Sequence, residues 1–301
     1  MFEEKAIMFI YCVSPVHVGS GTAIGAIDNP IQRERHTGWP MIQGSGIKGA
    51  LRHHAEQAPS NPLNGFVERI FGPESAASEH AGALSFGDGQ LLLFPVRCLK
   101  QSFVYTTCPT ALARFARIWR LLKGEELSWK IPSLQGQQCA VADPRVQTTG
   151  GKVILEVFEV TPQQETSEGV KSIAKWLAQE ALPPSASQFK EKLEKDLVIL
   201  SDEVFGHFVE HATVVEPHVA INDVTGTVDE GKLFYTENVP PEALFYSVAM
   251  ASQERKKKGE KGDLLGSKDI MKKVKEAFDD AFVQLGGDAT TGRGQLVLRF
   301  C

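Results

Sequence analysis

Apolar and polar residues follow one another along the chain with two different periods. Short apolar runs rich in β-branched and aromatic residues predict strands, and apolar stripes at helical spacing predict helices. The predicted strands are 6–13, 83–86, 91–97, 213–221, 228–235, 243–250 and 295–300, with a further strand pair within 138–160. The predicted helices are 46–57, 110–122, 171–180, 187–200, 204–211 and 268–285. Because these elements do not alternate regularly, the pattern favours an α+β fold around an antiparallel or mixed sheet.

The connections between the predicted elements differ greatly in length. Gly87-Asp88-Gly89 predicts a tight hairpin turn between two short strands. Residues 14–44 instead form a long connection rich in glycine and proline, and such loops inside compact domains are usually functional or mobile. Ser45 is the predicted cap of the following helix, and the charged segment 254–263 is a low-complexity loop. We therefore expect the 14–44 loop to carry function.

Charge is distributed unevenly along the chain. Of the 301 residues, 42% are hydrophobic, enough to bury a substantial core, and the formal net charge is −5. This balance excludes a protein that is basic over its whole surface. The segment 31–54 nevertheless carries four cations against one acid, whereas 161–205 carries five lysines against eight acids. A site for a polyanion must therefore be local.

The cysteines and the apolar runs predict the cellular compartment of the protein. Five cysteines are scattered and never occur as C-x-x-C, which is typical of a reducing compartment and provides no zinc ribbon. The first residues do not resemble a signal peptide, and no stretch approaches the roughly 20 apolar residues of a membrane span. We expect a cytoplasmic protein without membrane contact.

Two glycine-rich segments are candidate phosphate-binding sites. The first, 44–49, enters a helix whose free N–H groups and positive dipole end suit phosphate. Lys48 and Arg52 share one face of that helix, but no Ser or Thr follows the lysine as in a Walker A loop. The second segment, "GGDATTGRG", contains Gly292 and Arg293. A plain solvated helix start explains the first segment equally well, and a tight helix-to-strand connection explains the second.

Two single residues of the 14–44 loop are candidates for chemistry. His17 follows the first predicted strand and could act as a base or contact RNA, or it could simply bond to the backbone as a loop histidine. Asp28 precedes Asn29-Pro30, a turn signal, so an Asx turn is the alternative to a catalytic role.

A zinc site is a competing hypothesis. His207, Glu210 and His211 match H-x-x-E-H, in which two histidines four residues apart ligate zinc. A zinc hydrolase is therefore an alternative, although three fixed positions without structural context are a weak signal.

The long loop also resembles a known family. The resemblance lies in "HVGSGTAIGAIDNPIQRERHTGWPMIQGSGIKGALR" (17–52), supported by "GGDATTGRGQL" near the C-terminus. These segments resemble the RAMP proteins, most of all the backbone subunit of the type III-B CRISPR effector, the Cmr complex. The resemblance implies a single RAMP domain over 1–301, with a modified RNA-recognition (ferredoxin-like) palm. It also implies a helical insertion at 161–211 and a β-hairpin thumb at 212–242.

The resemblance also implies a function. Copies of the chain would stack head to tail along a CRISPR guide RNA, together with other Cmr subunits. Each thumb would interrupt guide–target pairing, and a loop acid beside it would cut the single-stranded target RNA with a divalent cation (Mg or Mn). A scaffold that binds guide RNA without cutting, with Asp28 structural, is the alternative.

Site residues follow from the same resemblance. Asp28 matches the cutting acid and metal ligand, His17 the nearby histidine, and Glu237 a second acid, although Val239 stands where an aromatic residue is expected. Lys48 matches the lysine that holds guide phosphate. Such contacts position a backbone without reading bases, and sequence choice passes to guide pairing. The residues predicted to contact RNA are Lys48, Arg52, Arg33, Arg35, Gly292 and Arg293.

Overall fold

The computed structural model describes residues 2–57, 60–73, 80–163, 167–229, 231–255 and 263–301. Within these ranges, twelve strands form one sheet and two more form a separate ladder. The strands are β1 (Glu4–Cys12), β2 (Met41–Ile42), β3 (Leu84–Phe86), β4 (Gly89–Arg97), β5 (Phe103–Thr107), β6 (Gln138–Val141), β7 (Val153–Leu155), β8 (Phe158–Pro162), β9 (Leu197–Leu200), β10 (Val214–His218), β11 (Phe234–Asn238), β12 (Leu244–Ala251), β13 (Phe282–Gln284) and β14 (Gln295–Phe300).

The helices lie on both faces of the large sheet. In the described residues, none of them has the length and apolar character needed to cross a membrane. Most of the charged loop predicted at 254–263 lies outside the described residues. The helices are α1 (Gly44–Gln57), α2 (Val67–Phe71), α3 (Pro109–Lys123), α4 (Ser167–Trp176, continued by a π-helical turn, Leu177–Ala181), α5 (Ser187–Asp196), α6 (Asp202–His211) and α7 (Ser267–Phe278).

The centre of the large sheet has a recognisable topology. Its strands lie in the order β14-β1-β12-β4, and every neighbouring pair is antiparallel. Helix α1 comes between β1 and β4 in the sequence, and α7 comes between β12 and β14. This is the β-α-β-β-α-β arrangement of a ferredoxin-like unit. The predicted α+β class with a ferredoxin-like palm is therefore confirmed.

Strand β1 separates two hydrophobic cores. It pairs with β12 on one side and β14 on the other, and its residues from Ala6 onward are buried. Met8 faces a core shared with α1, α6 and α7, whereas Phe9 faces a second core built largely from α3, α4 and α5. The buried residues Val16 and Ile31 of the long loop belong to the first core. The 14–44 loop therefore lies on the face of the sheet that carries α1.

A second group of strands extends the sheet beyond β4. Strands β5, β9, β6, β8 and β7 follow in that order, with β9 parallel to β5. The predicted insertion 161–211 therefore contains a sheet strand as well as helices. The predicted helix 187–200 is wrong beyond Asp196, because Leu197–Leu200 is fully buried between β5 and β6. An unbroken run of Leu, Val and Ile suits a strand that is buried on both faces.

The predicted helix 268–285 is also too long. Helix α7 ends at Phe278, and Asp280 takes a left-handed conformation with φ 57°. Residues 282–284 then pair with β14 as an edge strand. The apolar pattern continues across this break, so periodicity alone does not place the helix end.

The predicted hairpin at Gly87-Asp88-Gly89 is wrong. Strands β3 and β4 do not pair with each other, because both pair with β12, one after the other along its length. The glycine segment is a kink between them, and the Asp88 carboxylate accepts a hydrogen bond from the Gly44 N–H at 2.8 Å. Asp88, rather than the predicted Ser45, therefore caps α1.

Residues 212–242 contain an antiparallel hairpin. Val214 of β10 lies opposite Asn238 of β11, and His218 lies opposite Phe234. Most of the described residues that connect the two strands are exposed. The hairpin is a separate ladder and reaches the large sheet through the turn before β12.

That turn places a carboxyl group in an apolar cavity. Glu242 has a left-handed backbone with φ 70°, and its side chain lines a cavity of about 230 Å³ together with Tyr11 and Phe189. The Tyr105 hydroxyl donates to its carboxyl at 3.4 Å. Burial raises the pKa of Glu242 from 4.5 to about 7.

We predict that Glu242 makes stability depend on pH. The folded-state pKa is raised, so the stability contributed by the protonated carboxyl is complete below pH ~4.5 and is lost as the pH rises through ~7. Glu242→Gln should therefore raise the melting temperature by roughly 2 °C above pH ~8 and change it little in acid. Thermal melts of both proteins across this range test it, and melting curves that stay parallel at every pH would contradict it.

Candidate functional site

The 14–44 loop is held along strand β11. Asn29 forms an isolated parallel bridge with Thr236, donating its N–H to the Tyr235 carbonyl and accepting from the Glu237 N–H, both at 3.0 Å. Val16 forms a further bridge with the residue that follows β11. The loop therefore covers the edge of β11 that faces away from β10 and has a fixed conformation there.

Asp28 is anchored through one carboxylate oxygen. The Tyr235 N–H donates to Oδ2 at 2.8 Å. Within the described part of the chain, Oδ1 has no hydrogen-bond partner, and the side chain is half-buried. The carboxylate bonds to a distant strand rather than to its own turn, so the alternative of an Asx turn does not describe it. The result is an oriented acid with one free oxygen.

His17 is anchored on the same strand. Its Nδ1 lies 2.7 Å from the carbonyl oxygen of Glu237. A carbonyl only accepts hydrogen bonds, so Nδ1 carries a proton, and Nε2 has no hydrogen-bond partner among the described residues. The backbone contact expected of a loop histidine is therefore present, and it leaves Nε2 available.

Two glycines make room for this histidine. A Cβ at Gly19 would lie 2.7 Å from Nε2, and a Cβ at Gly286 would lie 2.5 Å from the His17 carbonyl oxygen. The second of these glycines also has a φ of 93°, which favours glycine. The C-terminal glycine segment therefore packs against the His17 backbone, and the tight-connection interpretation accounts for this part of it.

Glu237 is a buried and fully engaged carboxylate. It is 3% exposed. Its Oε2 accepts the Ile31 N–H at 3.1 Å, and its Oε1 accepts from Arg33 at 2.5 Å and from the Thr213 hydroxyl at 2.8 Å. Glu237 therefore joins the long loop, the hairpin and the end of α6. In this structure the carboxylate positions other groups, and its predicted catalytic role as a second acid stays a prediction.

Arg33 is committed to the protein interior. Besides Glu237, its guanidinium donates to the carbonyls of Gly38, Val209 and Glu210. These four bonds use both N–H groups on each terminal nitrogen, so the predicted phosphate contact of Arg33 stays a prediction that would require it to give up protein partners. Arg35 is exposed, and no hydrogen bond involves its side chain within the described ranges.

The two cations of α1 differ in the same way. Arg52 donates to the Glu56 carboxylate and to the Gly72 carbonyl, both at 2.8 Å. Lys48 is half-buried and has no acidic partner among the described residues. Burial, and then the charge of Arg52, lower the pKa of Lys48. Lys48 is therefore the cation of this helix that would gain most from an anionic ligand.

The two residues predicted in the second glycine segment have different surroundings. Arg293 forms a bidentate ion pair with Glu216 of β10 at 2.6 and 2.7 Å. Gly292 has a left-handed φ of 82° and open space around it. Arg293 thus fastens the hairpin to the palm, and its predicted contact with RNA stays a prediction.

Sequence reasoning missed one arginine beside the loop. The arginines of α3 have the pattern of a solvated face, yet Arg114 bonds to Glu34 at 2.8 Å and lies 5.1 Å above the Trp39 ring. Both partners belong to the 14–44 loop, which is distant in sequence. The one local sign is that Glu34 is the single acid among the cations of 31–54.

The H-x-x-E-H motif lies on α6 without forming a metal site. The rings of His207 and His211 are 4.6 Å apart. In the described ranges, no three His, Cys, Asp or Glu side chains are grouped so that they could hold a metal ion. Among the described residues, no third side chain completes a zinc site with His207 and His211.

Comparisons with known proteins agree with this architecture. The sequence profile of the RAMP superfamily matches residues 9–297, and the chain belongs to this superfamily. Over 289 residues it is 36% identical to the CRISPR system Cmr endoribonuclease Cmr4 of Pyrococcus furiosus, covering 95% of this chain and 92% of the relative. It is 24% identical to the CRISPR system CMR subunit Cmr4 of Saccharolobus solfataricus, covering 97% and 95%.

Solved structures show the same fold. The crystal structure of oligomeric Cmr4 from Pyrococcus furiosus superposes with a TM-score of 0.71 at 28% identity, covering 98% of this chain and 97% of the other. A chain of the type III-B Cmr-beta complex bound to cognate target RNA, solved by cryo-EM, gives a TM-score of 0.73 at 20% identity, covering 99% and 98%. The second likeness concerns the fold alone.

We predict that Glu237 is chiefly structural. Glu237→Ala leaves Arg33 partly buried without its carboxylate, and loss of one partner of such a pair lowers the free energy of unfolding by about 3 kcal/mol. Glu237→Gln keeps an oxygen acceptor and should cost less. Urea denaturation measures both. Asp28→Ala, which removes one hydrogen bond, should cost about 1 kcal/mol, and equal losses for Glu237→Ala and Asp28→Ala would contradict this role.

Proposed function

We propose that this chain is the backbone subunit of an RNA-guided ribonucleoprotein and cleaves target RNA complementary to the guide. The observation that carries the proposal is the pair Asp28 and His17, fixed on one strand with a free carboxylate oxygen and a free ring nitrogen. Family membership and the relative named as a Cmr endoribonuclease support it.

The two groups are anchored close together on one strand. Asp28 is anchored at Tyr235 and His17 at Glu237. Their anchor points are two residues apart on β11, about 7 Å along the strand. Splaying a nucleotide out of an A-form stack frees its 2′-hydroxyl to line up with the phosphorus and the leaving 5′-oxygen.

The chemistry is an internal transesterification. Asp28 Oδ1 accepts the proton of the 2′-hydroxyl as the new oxygen–phosphorus bond forms. The bond from phosphorus to the 5′-oxygen breaks, and His17, as imidazolium, donates its Nε2 proton to that oxygen. Glu237 holds both groups in register through its backbone and its buried carboxylate.

A divalent cation (Mg or Mn) held by Asp28 Oδ1 is the alternative to Asp28 as the base, because the one free oxygen does not fill both roles at once. The described residues offer Asp28 Oδ1 and no cluster of three ligands, which suits Mg²⁺ held by one carboxylate with the rest of its shell from RNA phosphate and water. Such an ion would supply charge neutralisation at the phosphate. Binding of Mn²⁺ to the RNA complex, followed by paramagnetic relaxation, should weaken in Asp28→Asn if Asp28 is a ligand.

The proposed partners follow from the relatives. One relative is described as oligomeric, and another belongs to a complex bound to cognate target RNA. We propose that this chain likewise assembles with further copies and other Cmr subunits along a guide RNA, with Lys48 and Arg35 on the phosphate backbone. A scaffold that does not cut is the second candidate, and the Asp28 variant separates the two.

For the nuclease, we predict that the charge of Asp28 is required. Asp28→Asn keeps an oxygen for the Tyr235 N–H but removes the base, so target cleavage should fall by about 10²-fold or more. The measurement uses single-turnover cleavage by the assembled complex with guide RNA. Asp269→Asn, an exposed acid on α7, is the control, and assembly and guide binding should stay intact. If the complex with Asp28→Asn still cuts at the wild-type rate, Asp28 is not the cutting acid, and the scaffold with a structural Asp28 is the candidate that remains.

For the RNA backbone, we predict that Lys48 contributes one phosphate contact. Lys48→Ala should weaken RNA binding and reduce the slope of log affinity against log salt by about 0.7–0.9. Titrations of single-stranded RNA at several salt concentrations measure this slope. Lys272→Ala, an exposed lysine of α7, should leave the slope unchanged, and an unchanged slope in Lys48→Ala would remove Lys48 from the site.

A further inference from the structure

A cleft beside the candidate site has no part in the chemistry above. It lies between the β7–β8 turn and the C-terminal half of α6, and its volume is about 400 Å³. We call it the ring cleft. Its lining includes Glu156, Phe158, His207, His211 and Thr213. The two histidines are those of the H-x-x-E-H motif.

Flat rings follow one another along this cleft. The Phe158 and His207 ring centroids are 4.6 Å apart with the ring planes tilted by 58°, and those of His207 and His211 are 4.6 Å apart with a tilt of 52°. Phe208 packs edge-on behind Phe158 at 5.4 Å and is buried, which fixes that ring. His207 and His211 are exposed. The cleft therefore presents aromatic faces that are supported from behind and accessible from outside.

The composition of the rim selects among ligands. Glu156 and Glu210 are the ionisable groups beside the rings, and no Lys or Arg lines the cleft in the described residues. Carboxylates disfavour a phosphate here, but they accept hydrogen bonds from the amino groups of nucleobases. Every base also has a flat face that stacks on aromatic rings. The ring cleft therefore suits an unpaired nucleobase better than a phosphate.

The ring cleft is fastened to the Asp28 site. Thr213, at one end of the cleft, donates to Glu237 Oε1 at 2.8 Å. Arg33 donates to the α6 carbonyls of Val209 and Glu210 at 2.9 and 3.3 Å. The loop that carries Asp28 and the helix that carries His207 are thus joined through one buried carboxylate and one arginine.

We propose that the ring cleft binds an unpaired base of the RNA strand by stacking it on the exposed His207 ring, which Phe158 supports. This inference rests on the proposed function and adds the place where the displaced base goes. The bound base would hold its nucleotide out of the stack next to Asp28, so His207 is a positioning residue and makes no contact with the reacting atoms.

The test uses the full-length protein and single-stranded RNA in which 2-aminopurine replaces one adenine at a time. Stacking quenches 2-aminopurine fluorescence. We expect quenching by the wild type at a defined position, and His207→Ala should lose it and bind RNA about tenfold more weakly. His207→Phe keeps a flat ring and should retain both, whereas a metal-binding or acid–base role would make it behave as His207→Ala. Gln188→Ala, an exposed neutral residue on α5, is the control.

Three results would overturn the proposal. They are equal quenching and affinity in His207→Ala and the wild type, failure of His207→Phe to rescue, or wild-type RNA binding without quenching at any position. RNA binding without quenching would instead indicate that the cleft binds an apolar side chain of a protein partner. If Lys48→Ala still lowers the salt slope, only the ring cleft assignment falls. If the wild type binds no RNA, the proposed function falls as well.

Discussion

The site depends on one buried carboxylate. Glu237 accepts from a loop amide, a loop guanidinium and the Thr213 hydroxyl, and its own backbone N–H and carbonyl hold Asn29 and His17. A buried charge with so many donors is stable only when all of them are present. The loop, the hairpin strand and α6 therefore reach their arrangement together or not at all.

The charges around the loop divide into two kinds as a result. Arg33, Arg52 and Arg293 are consumed by protein acceptors, so their role is to join segments. Of the side chains predicted to contact RNA, Lys48 and Arg35 are the cations that have no such acceptor among the described residues.

Sequence reasoning succeeds where a pattern is set locally. The strand 295–300 and the ferredoxin-like class follow from apolar runs and from resemblance, and the structure has both. Sequence reasoning fails where a residue that is distant in sequence determines the local structure. Asp88 caps a helix that begins more than forty residues earlier, and 197–200 becomes a strand because β5 and β6 flank it. Asp28 and His17 could be chosen from the sequence, but their shared anchor on β11 could not, since backbone bonds between remote segments leave no mark on composition.

The bond between the Tyr235 N–H and the Asp28 carboxylate has a mechanical consequence. The acid is attached to a hairpin whose far end is solvent-exposed, while Arg293 pins the other strand to the palm. The position of the Asp28 carboxylate is therefore tied to that of β11, so a movement of this strand would carry the free oxygen with it.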